Sequence, residues 1–589
     1  MGQPPNDIPA LEKQLGSWKE IAVYLNRDVT TVQRWEKREG MPVHRHVHDK
    51  RGSVYALPGE LDEWVQSRRL RVEEPAIKAE PELVTLARIS PSERPGRRNW
   101  FRPTLVAIVC ICLAAAWWLA NRYRPVPKAE SKIRSLAVLP LRNLSGDPGE
   151  DYLADGITEA LIGRLAGIHD LRVTSHTSVM RFKDPQQSVP QIARALGVDA
   201  VVEGSVIKEG DRIRVTAQLI RGATDEHFWS ETYDRQMRDA LGLESELAVS
   251  IGKKVEATVT GAEEKRLSAA RVVAPEVYES YLKGTFALNQ GTRPAIDESI
   301  RDFNAAVKAD DTFAPAYVGL ALAYSRSGTV FAGLPPSATR PKVRSLAAKA
   351  LALDPDIVEA HVLLAAVLRE QWHWSEAEEE YMRALALNPN DADANADYGF
   401  WLSCQGRSNE AISWVQRARA LDPAEVSGDK MAFIFFHAHR YDDAIRESRS
   451  ALAVQPDNAL TLMDLGFELI ADGKPAEAIP VLERARTLSP GSPAVTGVLV
   501  RAYAHAGRRD DAMRLLAELK VRETEGYVPA AAFVNAYLGL DDKEQAFHWL
   551  EEAFKEQSNI LQFLKTHPYF DPIRGDPRFS DLVHRVGLE

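Results

Sequence analysis

At 589 residues the chain is too long for one hydrophobic core and calls for several domains. Its formal net charge of −10 excludes a chain-wide nucleic-acid coat and leaves room only for a local basic patch. Three cysteines, Cys110, Cys112 and Cys404, exclude a disulfide framework and a paired-cysteine zinc motif, and fit either redox compartment.

Residues 1–16 read as disordered and residues 17–69 as a compact module. Ser17 and Glu20 have the spacing of a capping box, opening a helix with Trp18, Ile21, Ala22 and Leu25 on one face. The "NRD" turn follows, and Asp28 is placed to cap a second helix, "VTTVQRWEKRE", closed by Gly40 and Pro42. Val32 and Trp35 take its inward face. That leaves Thr30, Thr31, Gln33, Arg34, Lys37 and Arg38 outward or flanking, the residue types that reach base edges and phosphates. A strand, the "DKRG" turn, the strand "SVYAL" and a third helix carrying Leu61, Trp64 and Val65 complete the module. Between residues 27 and 51, seven Lys/Arg stand against four Asp/Glu, and reading the hairpin as the wing of a DNA-binding module would put Arg45, Lys50 and Arg51 beside phosphates.

His44, His46 and His48 alternate in "HRHVH", the pattern of one strand face. Same-face neighbours on one strand diverge, and metal sites draw ligands from separate elements, so a metal reading is set below a wing reading. Solvated or core-edge histidines are the remaining alternative. Partial protonation of the three would make DNA binding pH-dependent. Helix, second helix, hairpin and closing helix resemble the excisionase/MerR-type winged helix-turn-helix, with "TTVQRWEKREGMPV" the most telling stretch. The resemblance implies a double-stranded DNA partner.

Residues 70–99, rich in Pro, Glu and Arg, read as a flexible linker. Residues 101–121 read as one transmembrane helix: Thr104 to Ala120 carries no charge, and Trp100, Phe101, Trp117 and Trp118 supply interfacial aromatics. Arginines and lysines flank both ends, so flanking charge gives no orientation.

Residues 131–260 alternate strands and helices, ending in a three-strand meander with turns at Gly210–Asp211 and Gly222–Ala223. No phosphate-binding glycine loop follows a strand, and Asp147, Glu150, Asp151 and Asp155 read as a helix start, not a metal cluster. "SLAVLPLRNLSGDPGEDYLADGITEALIGRLAGIHDLRV", "LGVDAVVEGSV" and "RVTAQLIRGATDEHFWSETYDR" resemble the TolB amino-terminal-like domain. That likeness implies a non-catalytic, periplasmic α/β module for protein contact or sensing. Such domains also accompany class III cyclases, but no cyclase catalytic domain is legible here.

Residues 275–560 form a repeat array. Pro355, Pro389, Pro423, Pro456 and Pro490 are spaced 34, 34, 33 and 34 apart. Alanines stand five residues before each (Ala350, Ala384, Ala418, Ala451, Ala485), and twelve before the last four (Ala377, Ala411, Ala444, Ala478). Gly406, Gly473 and Gly507 mark turns between paired helices. This period resembles the tetratricopeptide repeat, about eight copies, with a loop insertion around "GTVFAGLPPSATRP". Stacked repeats form a superhelix whose concave groove takes a protein or peptide partner. Trp372, Trp374 and Trp401 read as packing residues, and residues 561–589 as a C-terminal cap.

The fold class is therefore multidomain and mostly α: winged helix, one transmembrane helix, α/β domain, tetratricopeptide α-solenoid. No catalytic residue, metal site or cofactor loop is legible, so the chain is read as non-enzymatic. The order resembles CadC-like one-component regulators, although their usual head is of the OmpR type. The resemblance implies a bacterial inner-membrane protein, single-pass, with a cytoplasmic N-terminus and a periplasmic C-terminal region. Inverted half-sites would require a homodimer, and no coiled coil is present to drive one. The alternative is a membrane-tethered repeat scaffold for envelope proteins whose head binds protein instead of DNA.

Overall fold

The computed structural model describes residues 15, 17–25, 31–32, 35–36, 41–45, 54–56, 60–61, 64, 132–183, 187–268, 271–328, 336–422 and 428–588. They fall in two compact units, Met1–Arg124 and Pro125–Glu589. The expected membrane segment lies outside the described residues. Among those described, no helix is long and apolar enough to cross a membrane.

In the first unit, the helix Trp18–Tyr24 begins at Ser17, whose Oγ accepts from the Glu20 amide and donates to the Glu20 carboxylate, both at 3.3 Å. Its apolar face, Ile21 and Ala22, packs with Val32, Met41, Val54, Ala56 and Leu61 into a small buried core. Trp35 and Trp64 flank that core with ring centroids 5.7 Å apart. β1 (His44–Arg45) and β2 (Val54–Tyr55) pair antiparallel, and an isolated bridge joins Leu15 to Ala56 on the same hairpin.

The second unit opens with an α/β domain. Its strands are β3 (Ser135–Val138), β4 (Arg142–Asn143), β5 (Arg172–Val173), β6 (Ala200–Glu209), β7 (Arg212–Arg221) and β8 (Glu226–Gln236). The sheet order is β5-β3-β6-β7-β8, with β4 also on β6. β3, β4 and β5 join by parallel pairing, β6 to β8 by antiparallel pairing. β3 is buried along its length and apolar from Leu136 to Val138, as a central parallel strand covered on both faces must be. β7 alternates instead: Ile213, Val215, Ala217 and Leu219 point inward while Arg212 and Arg214 are exposed. The helices Asp151–Ala166 and Ala240–Lys254 bury Leu153, Ile157, Leu161, Leu243, Leu247 and Ile251 against the sheet.

Eight helix pairs follow among the described residues, from Pro275–Asn289 with Arg293–Ala309 to Ala530–Gly539 with Lys543–Lys555. The alanine columns explain the close approach within and between pairs. Ala377, Ala411, Ala444 and Ala478 are fully buried, as are Ala350, Ala384, Ala418 and Ala485; Ala451 is only half-buried. In the expected loop insertion, residues 329–335 lie outside the described set. The stretch from Pro336 is helix, Pro336–Leu353, with Pro341 inside it.

The two helices of a pair differ in burial. In Pro493–His505, nine consecutive residues from Val495 to Tyr503 are buried, whereas Arg509–Glu525 buries only Ala512, Leu515, Leu516 and Leu519. A helix buried all round has neighbours on every side. The first helix of this pair therefore has something on its inner side.

That something is the segment read as an end cap. It comprises two 3-10 turns, Asn559–Phe563 and Pro568–Ile573, and the helix Pro577–Val586. It does cover the last pair: Arg578 pairs with Glu544 at 3.0 Å and Arg585 with Glu551 at 2.9 Å. It also runs back along the inner face of the array, and so is called the strap below.

Candidate nucleic-acid and partner-binding surfaces

The described part of the first unit holds few of the residues expected at DNA. Thr31 is helical, beside fully buried Val32, and is itself half-buried. Arg45 sits in β1 opposite Val54. Thr30, Gln33, Arg34, Lys37, Arg38, Lys50 and Arg51 lie outside the described residues, as do His46 and His48. His44 has an internal partner: its Nε2 lies 2.7 Å from Glu60 Oε2, tying β1 to the helical residues at Glu60 and Leu61.

The second surface is the inner face of the repeats, where the strap supplies the contacts. Phe563 packs between Phe400, Phe433 and His437, with centroids 5.3, 5.2 and 4.6 Å away. His567 lies 4.9 Å from Phe436, 5.0 Å from His437 and 5.4 Å from Phe467. Arg369 donates to Gln562 Oε1 at 2.5 Å, and Arg501 to the Tyr569 carbonyl at 3.5 Å. Trp374 Nε1 donates to the Val586 carbonyl at 2.8 Å, and Arg340 Nη1 to the Gln557 carbonyl at 2.5 Å.

Both Arg369 and Arg501 are buried, and each meets a neutral oxygen of the strap. Burial pushes the Arg501 guanidinium down to about 10. These two arginines were not singled out from sequence. The available signal was a charge within an otherwise apolar first helix, as in "VLLAAVLRE" and "VTGVLVRAYAH". The tryptophans behave as packing residues: Trp372 stacks on Phe554 at 5.1 Å and Trp401 on Tyr398 at 5.7 Å.

The α/β domain is clamped to the array at two places. At the first pair, Tyr278 donates to the buried Glu244 carboxylate, which also accepts from Arg164 at 3.3 Å. Burial raises the Glu244 carboxyl above its ordinary range, with Arg164 opposing. At the fourth pair, buried Asp422 accepts from Ser178 Oγ at 2.5 Å and the Ser175 amide at 2.6 Å. Arg172 donates to the Leu421 carbonyl at 2.8 Å, and Asn390 to the His169 carbonyl at 2.7 Å. A change felt by the repeats is thereby mechanically connected to the sheet.

Comparison with known proteins adds family matches. Residues 131–248 match the second domain of HilA/YgeH-like transcriptional regulators. Residues 358–391 and 469–528 match tetratricopeptide repeats. A putative adenylate cyclase 3 of Rhizobium meliloti (strain 1021) is 32% identical over 255 residues, which are 43% of this chain and 43% of that protein. The chain thus spans under half the length of that relative. Similar solved structures include Pseudomonas aeruginosa PilF (20% identity, 40% of this chain, 97% of that chain, TM-score 0.30). PilW, a type IV pilus biogenesis factor, is another (18%, 36%, 94%, 0.31). Human IFIT1, a dimer with m7Gppp-AAAA, is a third (14%, 54%, 78%, 0.40).

Proposed function

We propose that this chain is a membrane-anchored one-component transcriptional regulator. In this reading a cytoplasmic DNA-binding head is coupled to a TolB-like domain and repeats beyond the inner membrane, which bind a protein partner. The observation carrying it is the match of residues 131–248 to a transcriptional-regulator domain, clamped onto a tetratricopeptide repeat array. The head contributes a small helix-and-hairpin core, the scaffold on which Gln33, Arg34 and Arg38 would meet bases, and Thr30, Thr31, Lys37, Arg45, Lys50 and Arg51 the phosphate backbone. Attraction to phosphates requires only this local surplus, even in a chain of net charge −10.

The test is DNA binding by the full chain, with genome-wide mapping of bound sites. Binding is expected to weaken steeply with salt, and Lys37→Ala to lower the log–log salt slope by about 1. Arg34→Ala is expected to cost about 1–3 kcal/mol at its base position. Absent or salt-insensitive binding supports the alternative, a membrane-tethered envelope scaffold. The share of the chain given to repeats, residues 275–555, favours that alternative if the head fails. No catalytic role is part of either reading. Cyclic AMP formed from ATP and magnesium above the rate of a heat-inactivated control would overturn that aspect.

A further inference from the structure

The inner face of the third to seventh pairs already has an occupant. Past Glu556, Gln557 adopts a left-handed φ of 53° and turns the chain off the outer layer. The strap then meets in succession the first helices Val358–Glu370, Ala392–Cys404, Gly428–His437, Ala459–Ala471 and Pro493–His505, through Arg369, Phe400, Phe433, Phe467 and Arg501. This is the surface on which a stacked-repeat protein takes a peptide, and the strap lies on it as a peptide would.

The strap contact is a mixed one, part apolar core and part polar. Repeat meets repeat through a mainly apolar core, which buries some polar groups such as Ser448 and Glu468 and also takes in Leu561, Leu564, Phe570 and Ile573 of the strap. The strap meets the repeats through aromatic rings and polar groups, several without a protein partner at one atom. Arg369 Nε, His437 Nε2, Arg501 Nη1, Thr566 Oγ1 and Tyr569 Oη are all buried in this state. Buried donors and acceptors left unpaired weaken a contact out of proportion to its area. Opening the strap would uncover the inner faces of five first helices as a ready groove.

We propose that residues 558–588 are an intramolecular ligand of the inner face of the third to seventh pairs, and that a protein partner using this face must displace them. The proposal rests on the reading of the repeats as the protein-binding part of the chain. It also defines the partner's chemistry. An extended segment has to place an aromatic ring in the slot of Phe400, Phe433 and His437, and acceptor oxygens at Arg369 and Arg501. Arg369 and Arg501 take their strap acceptors from Gln562 and Tyr569, seven residues apart.

Hydrogen exchange on the unmodified full chain tests the opening. Amides of 558–588 are expected to exchange together, at least ~100-fold faster than those of Pro475–Leu488, through a local opening. Exchange of the strap at the global-unfolding rate would make it permanent core and overturn the proposal. Competition supplies the second measurement, with a labelled synthetic peptide of residues 557–589 added to the full chain. Phe563→Ala weakens the internal competitor, so this variant is expected to bind the peptide at least ~10-fold more tightly than the wild type. Equal binding, or none by either protein, overturns the proposal. Neither readout involves DNA, so failure of the regulator reading shows only in the DNA-binding assay.

Discussion

His437 and His567 face each other at the centre of the strap contact, both buried, with ring centroids 5.0 Å apart. His437 Nδ1–H donates to the Phe433 carbonyl at 2.8 Å, and His567 Nδ1 accepts from the Tyr569 amide at 3.3 Å. Burial pushes His437 down to about 3, with His439 adding to the shift. Burial also holds His567 well below its ordinary value, helped by His437, Arg501, Arg574 and His439. Both rings are therefore neutral when folded and titrate near 6.5 when unfolded. The contribution of His437 is whole above pH 6.5 and is lost as pH falls toward 3, by about 1.4 kcal/mol per pH unit, and that of His567 is lost in the same direction. Glu468, pushed up to about 8 by burial, acts in the opposite sense and gains on acidification. A difference between variants isolates the histidines. The thermal midpoint of His437→Leu is expected to fall less between pH 7 and 5 than that of the wild type, by about 2 kcal/mol of stability. Parallel profiles would mean that the ring takes its proton without penalty. Neither histidine was legible in the sequence. "FIFFHAH" reads as an apolar helix end, and nothing in "KTHPYF" says that the two stretches meet.

At the scale of the element, the sequence period captured the helix pairs because each needs one tight turn and one small-residue crossing. Gly406, Gly473 and Gly507 hold that turn with φ of 78°, 76° and 76°. Trp372, His439 and Asp541 occupy the corresponding position in three other pairs, with φ of 64°, 59° and 59°. A glycine search misses those turns. The geometry belongs to the helix pair, and packing imposes it on residues that bear a Cβ at a cost. An added Cβ at Gly473 meets nothing within 4 Å, so Gly473→Ala isolates the backbone term. It is expected to destabilise the chain by about 1–2 kcal/mol in denaturant unfolding. Asp541→Gly releases the same strain, and a gain of about 0.5–1 kcal/mol is expected. The strap illustrates the limit of periodicity. Its sequence has no repeat, so reading it as an end cap located one contact, with the last pair, and not the run along the inner face.

For the molecule as a whole, the boundary between the α/β domain and the repeats was legible near residues 260–275, yet the core does not stop there. Tyr278 and Leu282, on the first helix of the first pair, belong to the buried cluster of the α/β domain. Leu282 sits over Gly156: a Cβ built at that glycine would lie 2.4 Å from Leu282 Cδ2. An amphipathic pattern tells that a face is buried but not against what, which is why the period placed this helix in the array alone. The shared core and the Asp422 clamp join the α/β domain and the repeats within one compact unit, and disturbance of the repeats is expected to reach the sheet. Leu282→Ala opens a cavity at the seam and is expected to cost about 2–5 kcal/mol. Hydrogen exchange in the full chain distinguishes a shared core from two adjoining ones. If the body is cooperative, the slowest amides of Asp151–Ala166 and of Val358–Glu370 accelerate together, by ~30-fold or more. Acceleration on one side only would show that the two parts open independently. The repeats would then have no rigid path by which to pass partner binding to the regulator domain.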